Sequence, residues 1–277
     1  MILYINKDLD NISESGEIKM EIYFMIVSFI MGVVFGSFYN VCIFRIPEKL
    51  SIINPPSHCY NCNSRLKPLD LVPILSWIML KGRCRYCGEK ISYRYVLIEF
   101  LTGILFLLVF NKYGYNIQTI YYLIFISMLI IITFIDIDHY IIPDCLIIFG
   151  SIVAILANIL GQGIGIKNSL SGALICGGSM LILTSLIEFI VKKEVMGGGD
   201  IKLFAMTGLF LGIRGGLLTM LLSIYVGAFY GIIVIVNSRL KKQEYNSMIP
   251  YGPFISIGAL MVVLCGTNII SWYTGLF

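Results

Sequence analysis

Charged side chains are scarce in this sequence: Asp, Glu, Lys and Arg make up only 13% of its 277 residues, whereas 58% are hydrophobic. Soluble globular domains carry about 25% charged residues, so a soluble protein of this length is excluded, because too little polar surface is present to cover it. Lipid forces every spanning segment to satisfy its own backbone hydrogen bonds. The composition therefore predicts an all-α polytopic membrane protein.

The N-terminal end lacks the apolar run of a signal peptide. Residues 1–20 form a polar, mildly acidic extension, for which we predict no fold. Residues 21–44 are predicted to be the first transmembrane helix, since positions 22–44 contain no charged residue and are long enough to span a bilayer. Asn40 is a polar group within this span, and we expect it to be hydrogen bonded to a neighbouring helix.

Further apolar segments bring the predicted total to about eight transmembrane helices. They cover residues 95–110, 119–135, 141–160, 169–191, 201–213, 215–237 and 252–277. The segment that follows Asp200 is short, because 14 residues of helix span about 21 Å and the hydrocarbon core is roughly 30 Å thick. We therefore expect Asp200 to lie below the lipid surface, in a water-filled notch.

The one sizeable polar domain, residues 45–94, carries nine Lys or Arg and three acidic residues. It contains two Cys-x-x-Cys pairs with 21 residues between them, formed by Cys59, Cys62, Cys84 and Cys87. Two such pairs can close a tetrahedral site with no open position, which predicts a structural zinc ion. Two disulfides are the alternative, but the basic charge indicates a cytoplasmic, reducing location where disulfides rarely persist.

Basic residues are distributed unevenly between the predicted loops. If the zinc domain is cytoplasmic and the segments alternate, 15 of the 20 Lys and Arg lie inside and five outside. The positive-inside rule then supports a multi-pass protein of the cell membrane with both termini outside. It also places Asp136 and Asp200 on the cytoplasmic side.

The stretch Met196-Gly197-Gly198-Gly199-Asp200 ends a basic loop and opens an apolar helix. A carboxylate at the mouth of a membrane segment is costly and marks a functional site by default, and the glycines leave room for a substrate backbone. A flexible turn with a capping Asp is the simpler interpretation.

A second carboxylate favours a functional site over a simple capped turn. Asp136 is predicted to lie in a turn at the same membrane face, 64 residues before Asp200. Two carboxylates that share a site cannot both ionise cheaply, so the pair can act as base and acid on a water molecule. This is the chemistry of aspartyl peptide hydrolysis. Asp138 is expected to face away from Asp136, and Asp144 is interpreted as a helix start after Pro143.

Together these motifs resemble the type IV prepilin peptidases, polytopic aspartyl proteases of the Gly-x-Gly-Asp class. The likeness rests on Asp136 with the following Ile-Pro-Asp, on the glycine turn with Asp200, on the cysteine loop and on Pro250-Tyr251-Gly252-Pro253-Phe254. It covers nearly the whole chain after residue 20. The implied organisation is a zinc domain at 45–94 and a membrane aspartyl protease core at 95–277.

The resemblance implies that Asp136 and Asp200 are catalytic and that the substrates are type IV prepilins or pseudopilins, cut after a glycine on the cytoplasmic side. Members with the cysteine loop usually also methylate the new N-terminal amine with S-adenosylmethionine, so both activities are expected. Lys202 and Glu99 are secondary candidates for tuning Asp200 and for binding the donor, with snorkelling or helix packing as the simpler roles. Membrane lipid is an expected partner, and nucleic acid is not.

Two other interpretations remain open at this point. Paired acids in a membrane also suit a transporter or ion-coupled protein with a structural zinc domain. Both acids lie at one face, however, and no internal repeat is evident, which favours the peptidase. A protease without methyl transfer would differ only in the role of the cysteine loop.

Overall fold

The computed structural model describes residues 2–193, 196–241 and 249–275. Within these ranges the chain consists of helices and loops, and strand pairing is limited to two isolated bridges in the cysteine loop. The all-α prediction is therefore confirmed. Lys242 of the last predicted cytoplasmic loop and the end of the last predicted span, residues 276–277, lie outside the described residues.

Eight helices are present in the described part of the chain. They are α1 (Ile2–Arg45), α2 (Leu75–Met79), α3 (Arg94–Tyr113), α4 (Ile117–His139), α5 (Asp144–Ile159), α6 (Ile166–Val191), α7 (Gly198–Lys241) and α8 (Gly252–Thr274). Six of them, α1, α3, α4, α6, α7 and α8, are long and apolar enough to cross a membrane, and α5 is shorter. The chain thus has several membrane-capable helices, while the number of eight spans stays a prediction.

The described helices and loops divide into two compact units. One contains residues 1–40 and 53–115, and the other contains residues 41–52 and 116–277. The first unit holds the cysteine loop with α2 and α3, and the second holds α4 to α8. Helix α1 begins at Ile2 and so already includes most of the polar extension, for which the sequence predicted no fold.

Within the first unit, α1 and α3 approach closely through glycine. A Cβ built on Gly36 would lie 2.7 Å from the Cα of Glu99, so only glycine permits this contact between the two backbones. The side-chain amide of Asn40 donates to the carbonyl groups of Gly36 and Tyr95, each at 3.2 Å. The predicted hydrogen bond from Asn40 to a neighbouring helix is confirmed.

In the second unit, α7 reverses direction at Gly212. The backbone there has φ 70° and ψ −171°, which is not helical. Residues eight positions apart in a straight helix are separated by about 12 Å, yet a Cβ built on Gly216 would lie 3.4 Å from the Cα of Gly208. Helix α7 is therefore two antiparallel helices, 198–211 and 213–241, and the break falls one residue before the end of the sixth predicted segment, 201–213.

Helix α6 contacts both halves of α7, which confirms the reversal. A Cβ on Gly177 of α6 would lie 2.8 Å from the Cβ of Ala205 in the first half, whereas the Ser179 hydroxyl lies 3.9 Å from the Met220 sulfur in the second. Where α6 crosses the first half, Gly172 and Gly208 face each other backbone to backbone. Small residues of this kind let membrane helices approach closely, and here they fix the short helix that begins at Asp200.

The contact between Gly172 and Gly208 generates a stability prediction. A Cβ on Gly208 would overlap the carbonyl group of Gly172 and lie 2.8 Å from the Ala173 nitrogen. Because backbone cannot move aside as a side chain can, we expect Gly208→Ala to lower the free energy of unfolding in detergent by about 1–3 kcal/mol. Gly178→Ala is the matched control, since no heavy atom of the described residues lies within 4 Å of its added Cβ. Equal destabilisation by both variants would contradict this packing.

Candidate active site

Asp136 lies in the last turn of α4 and is only 5% exposed. The sequence placed it in the turn after the third span, and that placement is wrong. The helix continues to His139 and ends at Tyr140, which adopts a left-handed conformation (φ 56°) and donates its N–H to the Asp136 carbonyl at 2.9 Å. The buried Asp136 carboxylate accepts a hydrogen bond of 2.8 Å from the backbone N–H of Gly252, at the start of α8.

Asp200 lies in the first turn of α7 and is half-buried. Its N–H donates to the carbonyl of Gly197 at 3.1 Å, so the glycine turn leads directly into the helix. Gly252, which binds the Asp136 carboxylate, follows Tyr251, whose ring packs against Phe204, one turn after Asp200 in α7. The structure thus brings together the two acids that the sequence singled out.

Tyr251 completes this group of residues. Its hydroxyl donates to the Ser223 hydroxyl at 3.4 Å, and its ring centroid lies 6.4 Å from that of Phe204. Burial raises the pKa of Tyr251, the hydrogen bond with Ser223 opposes this, and the nearby charge of Asp200 raises it further. The Pro250–Phe254 motif is recognisable in the sequence, but the sequence alone predicts no role for Tyr251 or Gly252. The sequence signal that could have indicated such a role is a glycine followed by a proline at the start of a helix.

The glycine turn leaves open space beside Asp200. Gly197 and Gly198 are exposed. Among the described residues, a Cβ on Gly197 would meet only the Asp200 carboxylate, at 3.5 Å, and one on Gly198 would meet nothing within 4 Å. Gly199 instead faces the Ile142 side chain, where an added Cβ would lie 3.0 Å away. An extended backbone could therefore lie against the first two glycines.

The other polar residues near the pair point elsewhere. Asp138 and His139 are exposed, whereas Asp136 is buried, as expected for residues on different faces of α4. Asp144 starts α5, as predicted, and forms a 2.7 Å ion pair with Lys202. Lys202 therefore has Asp144 as its charged partner, which supports a surface role over tuning of Asp200.

In the first unit, Glu99 is 7% exposed and its carboxylate accepts a 2.7 Å hydrogen bond from the N–H of Ile74. Ile74 has φ 60°, a conformation that a β-branched residue rarely adopts. The carboxylate thus holds the strained backbone that precedes α2. This contact supports the packing role of Glu99 over donor binding.

The four cysteines of the loop form one cluster. The Sγ atoms of Cys59, Cys62, Cys84 and Cys87 all lie within 4.8 Å of one another, and those of Cys59 and Cys87 are 3.8 Å apart. A tetrahedral ion with metal–sulfur bonds of about 2.3 Å requires sulfur separations of about 3.8 Å, whereas a disulfide requires about 2.05 Å. The arrangement fits a metal ion, and all four cysteines are free.

Two equivalent knuckles build this cluster. In the first, Asn63 N–H donates to the Cys59 carbonyl at 2.8 Å, and in the second, Gly88 N–H donates to the Cys84 carbonyl at 3.0 Å. Asn63 and Gly88 both have positive φ, as a tight turn requires. An isolated bridge flanks each knuckle, His58 with Arg65 and Arg83 with Lys90. The spacing in the sequence was sufficient to predict this local geometry.

Hydrogen bonds prepare some of the thiols for metal binding. A hydrogen bond with the Ser64 side chain lowers the pKa of Cys62 to about 6, and the backbone N–H groups of Cys87 and Tyr86 lower the pKa of Cys84. For Cys87, desolvation and the neighbouring thiols outweigh the Glu89 N–H and raise the pKa to about 11. Thiolates bind metals and thiols do not, so a bound ion would displace the remaining protons.

A cavity of about 560 Å³ opens beside the second knuckle. Its lining residues are Trp77, Lys81, Gly82, Arg83, Lys90, Ile91, Ser92 and Tyr93. Three of these side chains are basic and none is acidic, so the cavity favours an anionic group.

These features define a class: a helical membrane protein with two neighbouring carboxylates at helix ends and a separate four-cysteine cluster. Comparison with known proteins narrows that class. Residues 30–113 match the bacterial peptidase A24 N-terminal domain, and residues 123–232 match the type IV leader peptidase family. No solved structure matches the chain.

Named relatives agree with these matches. A prepilin leader peptidase/N-methyltransferase of Bacillus subtilis (strain 168) is 36% identical over 247 residues, which cover 89% of this chain and 96% of that protein. One from Aeromonas hydrophila is 33% identical over 279 residues, covering 91% and 94%. This chain belongs to the type IV leader peptidase family. It is an enzyme, a protease with methyltransferase activity, and the transporter interpretation is not supported.

The cysteine cluster generates a metal-binding prediction. We expect the purified protein to contain about one metal ion per chain by elemental analysis, because four thiolates close one tetrahedral site. Cys59→Ser should lose the ion, whereas Cys265→Ser, which changes an exposed cysteine of α8, should retain it. Full metal content in Cys59→Ser, or none in the unmodified protein, would contradict a metal site.

Proposed function

We propose that this enzyme cleaves the leader peptide of type IV prepilin-like proteins with Asp136 and Asp200 as its catalytic pair. We further propose that it methylates the new N-terminal amine with S-adenosylmethionine. The proposal is carried by one observation: the helix ends that bear the two acids meet at the start of α8, where Gly252 binds the Asp136 carboxylate and Tyr251 packs against Phe204, one turn after Asp200. The substrate class comes from the relatives, which are named prepilin leader peptidases.

The proposed hydrolysis divides the work between the two acids. One ionised carboxylate takes a proton from a water molecule, and the resulting hydroxide attacks the peptide carbonyl carbon. The other acid, still protonated, donates its proton to the carbonyl oxygen. Collapse of the tetrahedral intermediate then breaks the C–N bond, and the released amine takes up a proton from the pair.

The surroundings of the pair support an assignment of these roles. The Asp136 carboxylate accepts the backbone N–H of Gly252, and a hydrogen bond from a backbone donor stabilises the negative charge of a carboxylate. No hydrogen bond to the Asp200 carboxylate is found among the described residues. Asp136 is therefore proposed as the base and Asp200 as the acid.

The exposed turn of Gly197 and Gly198 is proposed to receive the substrate backbone, with Gly199 packed behind it against Ile142. The absence of side chains lets an extended peptide approach the pair closely. A glycine before the scissile bond would suit the same narrow space. The leader would then lie at the membrane face, with the hydrophobic helix of the substrate in lipid.

The metal cluster and the methyl donor serve the second activity. Cys59, Cys62, Cys84 and Cys87 are proposed to hold a structural zinc ion, since four protein ligands leave no position for substrate. S-adenosylmethionine supplies an electrophilic methyl group, which the unprotonated N-terminal amine of the cleaved protein attacks. The basic-residue distribution supports a cell-membrane location, with the cysteine loop and both acids on the cytoplasmic side.

The catalytic pair generates the main prediction. We expect Asp136→Asn and Asp200→Asn each to lower the rate of leader cleavage by roughly 10²–10⁴-fold, the usual contribution of a general acid or base. The measurement is the mass of a prepilin-type peptide after incubation with the full-length protein and S-adenosylmethionine. Both variants should still methylate a peptide that has already been cleaved.

Asp138→Asn is the matched control for this experiment, because Asp138 lies two residues from Asp136 on the exposed side of α4. It should cleave at the rate of the unmodified protein. Cleavage at that rate by Asp136→Asn or Asp200→Asn would refute the aspartate-pair mechanism, whatever the outcome for methylation.

The hydrogen bond from Gly252 generates a second prediction. A Cβ on Gly252 would lie 2.8 Å from the Oδ2 of Asp136 and would push the carboxylate away from its donor. Because small displacements of catalytic groups are costly, we expect Gly252→Ala to lower the cleavage rate by roughly 10²-fold. Gly231→Ala adds the same methyl group in α7, where no heavy atom of the described residues lies within 4 Å, and should leave cleavage unchanged. An unaltered rate in Gly252→Ala would argue against this contact.

A further inference from the structure

The end of the first half of α7 poses a hydrogen-bonding problem. Because the helix breaks at Gly212, the carbonyl groups of its last turn lose the N–H donors that a continuing helix would supply. Leu209 and Phe210 in this turn are buried, so water does not replace those donors, and an unsatisfied buried carbonyl is costly. Side chains from neighbouring helices must therefore act as donors.

Two buried hydroxyl groups provide these donors. Tyr121 of α4 donates to the carbonyl of Phe210 at 3.1 Å, and Ser169 of α6 donates to the carbonyl of Leu209 at 2.7 Å. Tyr121 is 4% exposed and Ser169 is fully buried. Each hydroxyl group therefore donates its hydrogen bond to α7 and not to solvent.

Asn158, at the end of α5, links the two donors. Its amide nitrogen donates to the carbonyl of Ala154 at 2.7 Å and also lies 3.4 Å from the Tyr121 hydroxyl and 3.3 Å from the Ser169 hydroxyl, so its second N–H is shared between these two oxygens. On the other side of the break, the side-chain carbonyl of Asn168 accepts the N–H of Ile213 at 3.3 Å. Helices α4, α5 and α6 thus all contribute side chains to the break in α7.

The position of this cluster couples it to the catalytic pair. Tyr121 lies on the same helix as Asp136, and Phe210 lies on the same straight helix as Asp200, about 15 Å further along. The aromatic rings add to the contact, because Phe125 and Phe210 stack with centroids 4.3 Å apart. A slide or rotation of the first half of α7 against α4 at this end would move Asp200 relative to Asp136.

We infer that Tyr121, Asn158 and Ser169, here called the carbonyl cap, are positioning residues that set the register of helix 198–211 against α4 and thereby hold Asp200 beside Asp136. The inference rests on the proposed function of the two acids. It assigns the cap no contact with substrate. Its effect should therefore appear in the chemical step and not in substrate binding.

The test uses the full-length protein with Tyr121→Phe and Ser169→Ala, each of which removes one hydroxyl. We expect kcat for leader cleavage to fall roughly ten- to a hundredfold in each variant, because a misplacement of about 1 Å is costly to catalysis. KM should stay unchanged, since only the geometry of the acids is altered. Methyl transfer to a peptide that is already cleaved should continue at the rate of the unmodified protein.

Thr184→Ala is the matched control. Thr184 is a buried residue of the same helix as Ser169, but its hydroxyl donates only within α6, to the carbonyls of Met180 and Leu181. This variant removes a buried hydroxyl without removing a hydrogen bond to α7, so both activities should persist. The comparison with Thr184→Ala therefore distinguishes the effect of losing any buried hydroxyl from the effect of losing the carbonyl cap.

The outcomes distinguish the inference from the proposed function. An unchanged kcat in both cap variants would overturn the inference, as would a rise in KM alone or a parallel loss of cleavage and methyl transfer. Asp200→Asn is measured beside them. If that variant cleaves normally, the proposed function fails; if it is inactive while the cap variants keep full kcat, only the positioning role fails.

Discussion

The helices of the second unit are arranged around the interaction between the carboxyl groups of Asp136 and Asp200. Two acids at the ends of membrane helices are costly to bury, so each needs a defined environment. Asp136 receives the N–H of Gly252, and Asp200 follows an open glycine turn. The resulting asymmetry suits a pair in which one member is charged and the other carries a proton.

The short helix that begins at Asp200 depends on its far end as much as on the end that carries the proposed catalytic acid. The reversal at Gly212 lets 198–211 remain short, and the glycines facing α6 let it pack closely. The carbonyl cap then satisfies the backbone groups that the reversal exposes. The same break that keeps this helix short thus creates the need for buried polar partners.

The cysteine loop follows a different principle. Its fold is set by two local knuckles whose hydrogen bonds repeat with the same spacing around Cys59 and Cys84. The first unit surrounds this loop with few buried side chains, so a metal ion is the natural source of its stability. Glu99 adds a second anchor by holding the strained backbone at Ile74.

The sequence by itself determined the helical class, the approximate helix bounds, the four thiolates and the choice of Asp136 and Asp200. Each of these is encoded locally, by hydropathy over a helix length or by spacing within a turn. Only the tertiary structure decided that Asp136 lies inside α4, that Gly252, 116 residues away, donates to it, and that Lys202 pairs with Asp144. It also decided the partners of the broken helix at Gly212. These contacts join distant helices, and hydropathy records which residues avoid water but not which helix faces which.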